Sequence, residues 1–267
     1  MNQHPKEVFK EHHHEHCLNC GQVIHENFCS RCGQNTHTHR LSIWHFLVHD
    51  FVHSIWHVDH GIILTLEEVL IRPGKAAMEY IRGKRVGRFP ILTLLLILLG
   101  IFFGLAGDIH VPEKLIDFSG NADGKKFLTE FFYYLTHYRK WLVLTTLPSA
   151  ALGTWLVFRR IRLNYTEHLL INGYAFAGML VVTIYVQLFG LCFPNLEDIF
   201  GEIGFFTCVA IFVLAYAQAF HSYSLLGLIW RFFLLALLDF FIFVINLIVV
   251  LVIISMLVLG KEGKLFD

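Results

Sequence analysis

Charged side chains are scarce in this chain of 267 residues: Asp, Glu, Lys and Arg make up 16% of it, and 21 basic residues balance 21 acidic ones. A formal net charge of zero gives no electrostatic reason to expect a nucleic-acid partner. Hydrophobic residues, by contrast, reach 55% and include 26 phenylalanines, well above the usual content of a soluble domain. We therefore expect most of the chain to lie in lipid.

Several familiar catalytic and targeting motifs are also missing. The chain contains no Walker-type phosphate loop, no Gly-x-Ser-x-Gly elbow, no His-Glu-x-x-His site and no Rossmann glycine pattern. Its first 40 residues are polar and rich in histidine, unlike a cleavable signal peptide, so we expect them to belong to the mature protein. The missing motifs disfavour an enzyme but leave the question open.

Five stretches are long and apolar enough to span a bilayer, which takes roughly 17 to 25 residues. They cover approximately residues 91–107, 141–158, 169–193, 203–220 and 232–259. The predicted fold is therefore an all-α polytopic membrane protein with about five transmembrane helices in a bundle over residues 91–267. Residues 108–140 are expected to form an outside loop. The long last stretch must tilt, begin at the interface, or share its start with a partly inserted segment over residues 224–238.

Basic residues precede the first span and separate the second from the third, and they predict the orientation: Arg72, Lys75, Arg82, Lys84, Arg85 and Arg88, then Arg159, Arg160 and Arg162. The positive-inside rule assigns both groups to the cytoplasm. Residues 194–202 contain three acids and no Lys or Arg, which suits the opposite side. We expect a multi-pass protein with its N-terminus in the cytoplasm and its C-terminus outside.

The first basic group also offers candidate contacts for lipid headgroups or another phosphate, namely Arg72, Lys84, Arg85 and Arg88. The alternative is a helix boundary at Arg72-Pro73-Gly74 followed by an ordinary cytoplasmic anchor. Membrane lipids are accordingly the first expected partner, and the sequence leaves both interpretations open.

Two cysteine pairs precede the apolar region: Cys17-Leu18-Asn19-Cys20-Gly21 and Cys29-Ser30-Arg31-Cys32-Gly33. With two residues between the thiolates, one backbone turn can aim both sulfurs at one ion, and the following glycine permits that turn. The doubled motif predicts a closed, structural Zn²⁺ site in a zinc ribbon over residues 17–40. A redox or disulfide pair is the alternative, but thioredoxin-type motifs come singly on a βαβ unit.

Histidines are concentrated before the spans. Residues 1–16 are predicted to be a flexible histidine-rich tail, and residues 41–90 to form cytoplasmic amphipathic or interfacial helices. In this second segment His45, His49, His53, His57 and His60 fall on one helix face. His53, His57 and His60 are the best candidates for a second metal site. The alternatives are a solvated polar face and a pH-sensitive surface that binds anionic lipid when the imidazoles are charged.

Two shorter helices are predicted between the histidines and the first span. The first covers residues 62–71 and is mostly apolar. Proline suits the first position of a helix, so the second is expected to begin at Pro73 and to run to about Arg82, where Gly83 ends it.

Polar residues also interrupt the later spans. Asp239 and Asn246 lie seven residues apart, on one side of the last span, where an ionised Asp is costly unless it is paired, protonated or close to water. Gln187 and Gln218 are their candidate neighbours from other spans. Near the start of the third span, Glu167 and His168 fit either a proton relay or the water boundary. A polar seam of this kind is typical of helix packing as well as of transport.

The order of these parts resembles an uncharacterised family of bacterial membrane proteins that carry an N-terminal CxxCG...CxxCGQ zinc ribbon. The resemblance covers mainly residues 17–90, through Cys17, Cys20, Cys29, Cys32, Gly33, Gln34, Thr65, Leu70, Arg72, Pro73, Gly74, Tyr80, Gly83, Lys84, Arg85 and Pro90. Asn164, Glu167 and His168 match a polar patch before the third span. The resemblance implies a location in the bacterial inner membrane and implies no activity.

Three functions are compatible with these patterns. The first is a non-enzymatic scaffold whose zinc-ribbon head and interfacial helix engage a cytoplasmic protein partner or the lipid surface. The second is a transporter for a small solute or ion. The third is a membrane-bound metalloenzyme resembling the di-iron desaturases, but such enzymes need several separated histidine boxes, whereas 13 of the 17 histidines lie in the first 60 residues.

Overall fold

The structure is a computed structural model, and it describes residues 15–36, 40–43, 61–105 and 122–261. These residues form seven α-helices: α1 (Gly61–Ile71), α2 (Pro73–Ile81), α3 (Ile91–Leu105), α4 (Ala122–Val157), α5 (Tyr165–Cys192), α6 (Glu197–Ala219) and α7 (Leu225–Lys261). Short 3₁₀ turns, Arg159–Ile161 and Pro194–Leu196, precede α5 and α6. The predicted histidine face, with His53, His57 and His60, and most of the tail lie outside the described residues.

Three helical segments are long and apolar enough to cross a membrane: Tyr165–Cys192, Pro194–Ala219 and Leu226–Ile253. Two shorter apolar helices, Ile91–Leu105 and Val143–Val157, coincide with the first two predicted spans. Because the described residues are mostly helical and contain no β-strand, the all-helical prediction is confirmed for this part of the chain.

Residues 122–140 of the predicted outside loop are helical and belong to α4, which is described from Ala122 to Val157. Their place outside the cytoplasm stays a prediction. The 36 residues of α4 give a length of about 54 Å, well beyond a hydrocarbon core of about 30 Å. Charged residues between 122 and 140 argue against a buried span, but Lys and Glu are good helix formers, so they do not end a helix.

The last helix is continuous over 37 residues, from Leu225 to Lys261, so residues 224–238 do not form a separate segment. It packs on α4. Asp239 lies beside Gly153 and Asn246 beside Ser149, so the residue numbers fall along α4 as they rise along α7. The two longest helices are therefore antiparallel neighbours.

Helix α5 is central, with contacts to α1, α2, α3, α4 and α6. Its first half is buried almost throughout, from Thr166 to Ala177, whereas Tyr185, Leu188 and Leu191 near its other end are exposed. The bundle is thus thickest where α5 begins. We call this the head end, because the four-cysteine segment also lies there.

The two short predicted helices are confirmed as α1 and α2, on either side of Arg72. They pack against α5 and α6, and their predicted place at the membrane interface stays a prediction. A Cβ at Gly178 of α5 would overlap the carbonyl oxygen of Val69, and one at Gly74 would overlap that of Ala215 in α6. Only glycine allows backbones to approach so closely. The core therefore continues across residue 90, where the sequence placed a boundary.

Candidate metal centre and buried polar groups

The two cysteine pairs form the same backbone turn. The N–H of Gly21 donates to the carbonyl of Cys17 and that of Gly33 to the carbonyl of Cys29, both at 2.8 Å. Gly21 has a φ of +76° and Gly33 a φ of +73°, in the left-handed region that favours glycine. The predicted reason for a glycine after each pair is confirmed.

All four cysteine sulfurs lie within 4.8 Å of one another. The Sγ atoms of Cys17 and Cys32 are 3.5 Å apart, as are those of Cys20 and Cys29, so the thiols are free and not joined in disulfides. Bonds of about 2.3 Å in a tetrahedral zinc site place the sulfurs about 3.8 Å apart, close to these separations. The cluster can hold a metal ion, and four sulfurs leave no open coordination position.

The local backbone prepares one of these thiols for metal binding. The N–H of Cys32 hydrogen-bonds to the Cys29 thiol and lowers its pKa to about 6, although burial acts in the opposite direction. For Cys17 burial dominates and raises the thiol pKa to about 11. Metals bind thiolates, so Cys17 must release a proton on binding while Cys29 is largely ionised at neutral pH.

The head, which we define as residues 15–36, contacts the turn after α2. The side chain of Gln34 is 4% exposed; its Nε2 donates to the carbonyl of Gly83 at 2.7 Å, and its Oε1 accepts from the Arg85 N–H at 3.4 Å. Leu18 lies on the same turn, since a Cβ at Gly83 would be 2.7 Å from its Cδ1. Residues next to both cysteine pairs therefore contact one turn of the bundle.

A second contact joins the segment after the head to the start of α5. Arg40 donates from Nε and from a terminal nitrogen to the two carboxylate oxygens of Glu167, each at 2.6 Å, and the Glu167 side chain is fully buried. These hydrogen bonds raise the pKa of Arg40. Asn164 donates to the carbonyl of Leu41 at 2.9 Å. Both contacts span more than 120 residues of sequence.

Asn164 and Glu167 also form a capping box at the start of α5. The Glu167 N–H donates to Asn164 Oδ1 at 2.8 Å, and the Asn164 N–H donates to Glu167 Oε2 at 2.7 Å. A carboxylate engaged by both a guanidinium and a backbone amide is held in place. This geometry favours a structural role for Glu167 over the predicted proton relay.

Arg88 and Arg72, two of the predicted phosphate contacts, form ion pairs inside the bundle. Arg88 donates to both oxygens of Glu68, at 2.7 and 2.8 Å, and also to Glu79. Arg72 donates to Glu68 and, at 3.3 Å, to Glu79. The Glu68 side chain is only 1% exposed and that of Arg88 only 7%. No sequence pattern pointed to these two glutamates.

The ion cluster keeps Arg88 and Glu79 charged. Burial alone would lower the pKa of Arg88, but the carboxylates of Glu68 and Glu79, to which Arg88 donates hydrogen bonds, together outweigh burial, so that its pKa is raised. Burial would likewise raise the pKa of Glu79, but Arg88 and its neighbours lower it. A buried guanidinium with two carboxylate partners has little capacity for a phosphate. Of the predicted phosphate contacts, Lys84 is exposed, the Arg72 side chain is 38% exposed and Arg85 is partly exposed.

Buried polar residues link α4, α5 and α6. Asn172 donates to Thr154 Oγ1 at 2.9 Å, and its Oδ1 accepts from the Tyr216 hydroxyl at 2.5 Å. His168, one turn earlier in α5, is fully buried and stacks on Phe220 with ring centroids 5.9 Å apart. Neither ring nitrogen of His168 has a hydrogen-bond partner in the described part of the chain. Asn172 and Tyr216 could have been identified from the sequence as polar residues within apolar stretches.

Asp239 and Asn246 line one cavity of about 230 Å³ between α4 and α7, together with Thr145, Thr146, Ser149, Ala150, Ile242 and Phe243. Asn246 donates to Ser149 Oγ at 3.4 Å. Neither predicted neighbour lines this cavity: Gln218 accepts from the Lys75 N–H at 3.2 Å, and Gln187 lies on α5. The polar neighbours of Asp239 and Asn246 are instead the hydroxyl residues Thr145, Thr146 and Ser149 of α4, which their spacing in the sequence had not identified.

No family model matches this chain, and neither a curated protein nor a solved structure matches it. Its function is therefore inferred from the geometry of its own residues.

Proposed function

We propose that this chain is an integral protein of the bacterial cytoplasmic membrane, with a structural Zn²⁺ in a cytoplasmic head that is docked on a bundle of about five spans. The four-sulfur cluster, together with the contact of Gln34 and Leu18 with the Gly83 turn, is the observation that carries this proposal. Zn²⁺ is the expected metal because closed sites of four cysteine sulfurs are typical of structural zinc.

The head has little else to hold it folded. Among its residues only Cys17, Cys29, Gln34 and Thr36 are buried, so it contains no apolar core of its own. In such small domains the free energy of metal binding is the free energy of folding. We therefore expect zinc removal to unfold the head and to release Gln34 and Leu18 from the bundle.

A protein partner is the proposed target of the head. Val23 and Phe28 expose large apolar side chains on its surface, and no residue in the described part of the chain covers them. With the closed metal site and the missing catalytic motifs, these side chains support a non-enzymatic scaffold. Lys84 and Arg85, on the turn that the head contacts, suit anionic headgroups at the same surface.

The charge distribution supports the proposed orientation. Arg159, Arg160 and Arg162 directly precede α5, at the head end, whereas residues 194–202 at its other end have no Lys or Arg. The positive-inside rule then assigns the head end to the cytoplasm.

Metal analysis of the purified full chain tests the proposal. We expect about one Zn²⁺ per chain in the wild type, none in a Cys17→Ser/Cys20→Ser variant, and full occupancy in the matched variant Cys192→Ser/Cys208→Ser. A wild type without zinc, or a zinc content that the loss of Cys17 and Cys20 does not lower, would contradict the zinc-held head. A second metal that survives in the Cys17/Cys20 variant would point to His53, His57 and His60.

Transport of a small ion is a second candidate function, favoured by the cavity that contains Asp239. Ionisable residues inside spans commonly mark ion pathways. Purified protein in liposomes that moves neither protons nor metal cations would exclude this candidate and leave the zinc-held head untouched.

A further inference from the structure

We propose that the cavity between α4 and α7 binds a monovalent metal cation, held by the carboxylate of Asp239 and by the neutral side-chain oxygens that line the same cavity. The inference rests on the proposed membrane insertion of α4 and α7, but it requires neither the zinc-held head nor transport.

The hydrogen bonds of the lining residues leave oxygen lone pairs for a ligand. Thr146 donates its hydroxyl proton to the carbonyl of Val143 at 2.6 Å, and Ser149 donates to the carbonyl of Thr145 at 2.7 Å. Asn246 donates through Nδ2 to the carbonyl of Ile242 at 3.0 Å, so its Oδ1 remains as an acceptor. Because these three protons are committed to backbone carbonyls, the oxygens that remain suit a cation and not an anion.

The charge balance of the cavity limits the ion to a single positive charge. Among the described residues that line it, Asp239 is the one ionisable residue, and none is Lys or Arg. Asp239 Oδ1 is buried and has no hydrogen-bond partner in the described part of the chain. A monovalent cation would neutralise this carboxylate, whereas a divalent ion would leave a net charge in an apolar surrounding.

The site has the size and position that such an ion needs. Gly153 of α4 allows the carboxylate to lie against the helix, because a Cβ there would be 2.5 Å from Asp239 Oδ1. A cavity of about 230 Å³ holds a cation with several waters, each of which occupies about 30 Å³ in the liquid. Hydroxyl, amide and carboxylate oxygens are hard ligands, which suit Na⁺ or K⁺ better than zinc. Asp239 is also close to the middle of α7.

Thermal unfolding of the purified full chain in NaCl, KCl and choline chloride, at one ionic strength, tests the inference. At a hundredfold excess over its dissociation constant, the bound ion should raise the unfolding midpoint by roughly 5 to 10 °C. A midpoint that rises to a plateau with Na⁺ alone, with K⁺ alone or with both supports the site and identifies the ion. If NaCl and KCl raise the unfolding midpoint no more than choline chloride does, the proposed cation site is wrong. It is also wrong if the midpoint depends on pH alone, because the cavity would then bind a proton.

Matched variants connect the effect to the cavity. Asp239→Asn should abolish the cation-dependent shift, while Asp198→Asn, the same change at an exposed position of α6, should leave it intact. Ser149→Ala should weaken the apparent affinity about tenfold, and Ser255→Ala, a serine of α7 outside the cavity, should not. A shift retained in Asp239→Asn, or unchanged affinity in Ser149→Ala, refutes the assignment. Binding without flux in liposomes removes only the transport candidate.

Discussion

Two glycines between α2 and α3 have similar backbone conformations but different neighbours. Gly83 has a φ of +98° and Gly87 a φ of +84°, so alanine is strained at either position. At Gly87 an added Cβ meets nothing within 4 Å, whereas at Gly83 it would be 2.7 Å from Leu18 Cδ1. The comparison of the two substitutions therefore isolates the contact between the head and the bundle.

We expect Gly83→Ala to loosen the head from the bundle and Gly87→Ala to leave it docked. Hydrogen exchange of residues 17–34 in the zinc-bound chain should rise at least tenfold in the first variant relative to the second, which corresponds to about 1.4 kcal/mol of lost docking free energy. Equal protection in the two variants would show that Leu18 does not contribute to docking.

Because Arg88 is buried, we expect its loss to lower the free energy of unfolding more than the loss of an exposed arginine does. Arg88→Met would leave Glu68, which is 1% exposed, with Arg72 as its remaining cation, and breaking a buried pair in this way costs roughly 3 to 5 kcal/mol. Arg160→Met makes the same change at an exposed position and should cost less than about 1 kcal/mol. Chemical unfolding in detergent micelles at pH 7 measures both. Similar costs for the two variants would contradict the buried ion cluster.

At the same scale, the local patterns were predictable and their long-range partners were not. Cys17 to Gly33 follow a motif in which each cysteine pair is made by one turn, so sequence alone identified the four-cysteine cluster that can hold a metal ion. The contact between Gln34 and Gly83 joins residues 49 positions apart, and the pair of Arg40 with Glu167 joins residues 127 apart. Nothing in a single sequence indicates which distant residue completes such a pair.

At the scale of elements, start and stop signals located α1 and α2, because Pro73 and Gly83 act locally. Their packing partners could not be predicted, since periodicity shows that a helix has an apolar face but not which surface covers it. The face packs on α5 and α6, where Gly74 and Gly178 permit backbone contact. In the sequence these glycines look like any other small residue in an apolar segment.

Gly178→Ala should therefore push α1 away from α5, because its Cβ would overlap the carbonyl of Val69. We expect a loss of roughly 1 to 3 kcal/mol, typical of overpacking. Gly100→Ala is the matched control: it lies in α3 with nothing within 4 Å, and the higher helix propensity of alanine should make it neutral or stabilising by up to about 1 kcal/mol. The unfolding midpoints of the two variants, compared with that of the wild type, test this prediction. If Gly178→Ala raises the midpoint, α1 and α5 do not pack closely.

For the whole molecule, helix length separates the crossings that are well supported from those that are not. Helix α3 is described over 15 residues, a length of about 22 Å, which is less than a hydrocarbon core of about 30 Å. The segment Pro194–Ala219 has 26 residues and is long enough to cross. Its two ends are therefore the best places to test on which side of the membrane the head lies.

Single cysteines at these two ends should report opposite sides of the membrane. Asn195 and Ser222 are both exposed and lie at either end of α6. We expect Asn195→Cys, in a Cys192→Ser/Cys208→Ser background, to react with a membrane-impermeant maleimide in sealed right-side-out vesicles. Ser222→Cys in the same background should react only after permeabilisation, because positive-inside charge places the head end in the cytoplasm. The background variant alone measures any reaction of the four head cysteines, which bound zinc should protect.

Labelling of both positions from one side would mean that α6 does not cross the membrane. The reverse labelling pattern would place the metal-binding head outside the cell, where its free thiols would be exposed to oxidation.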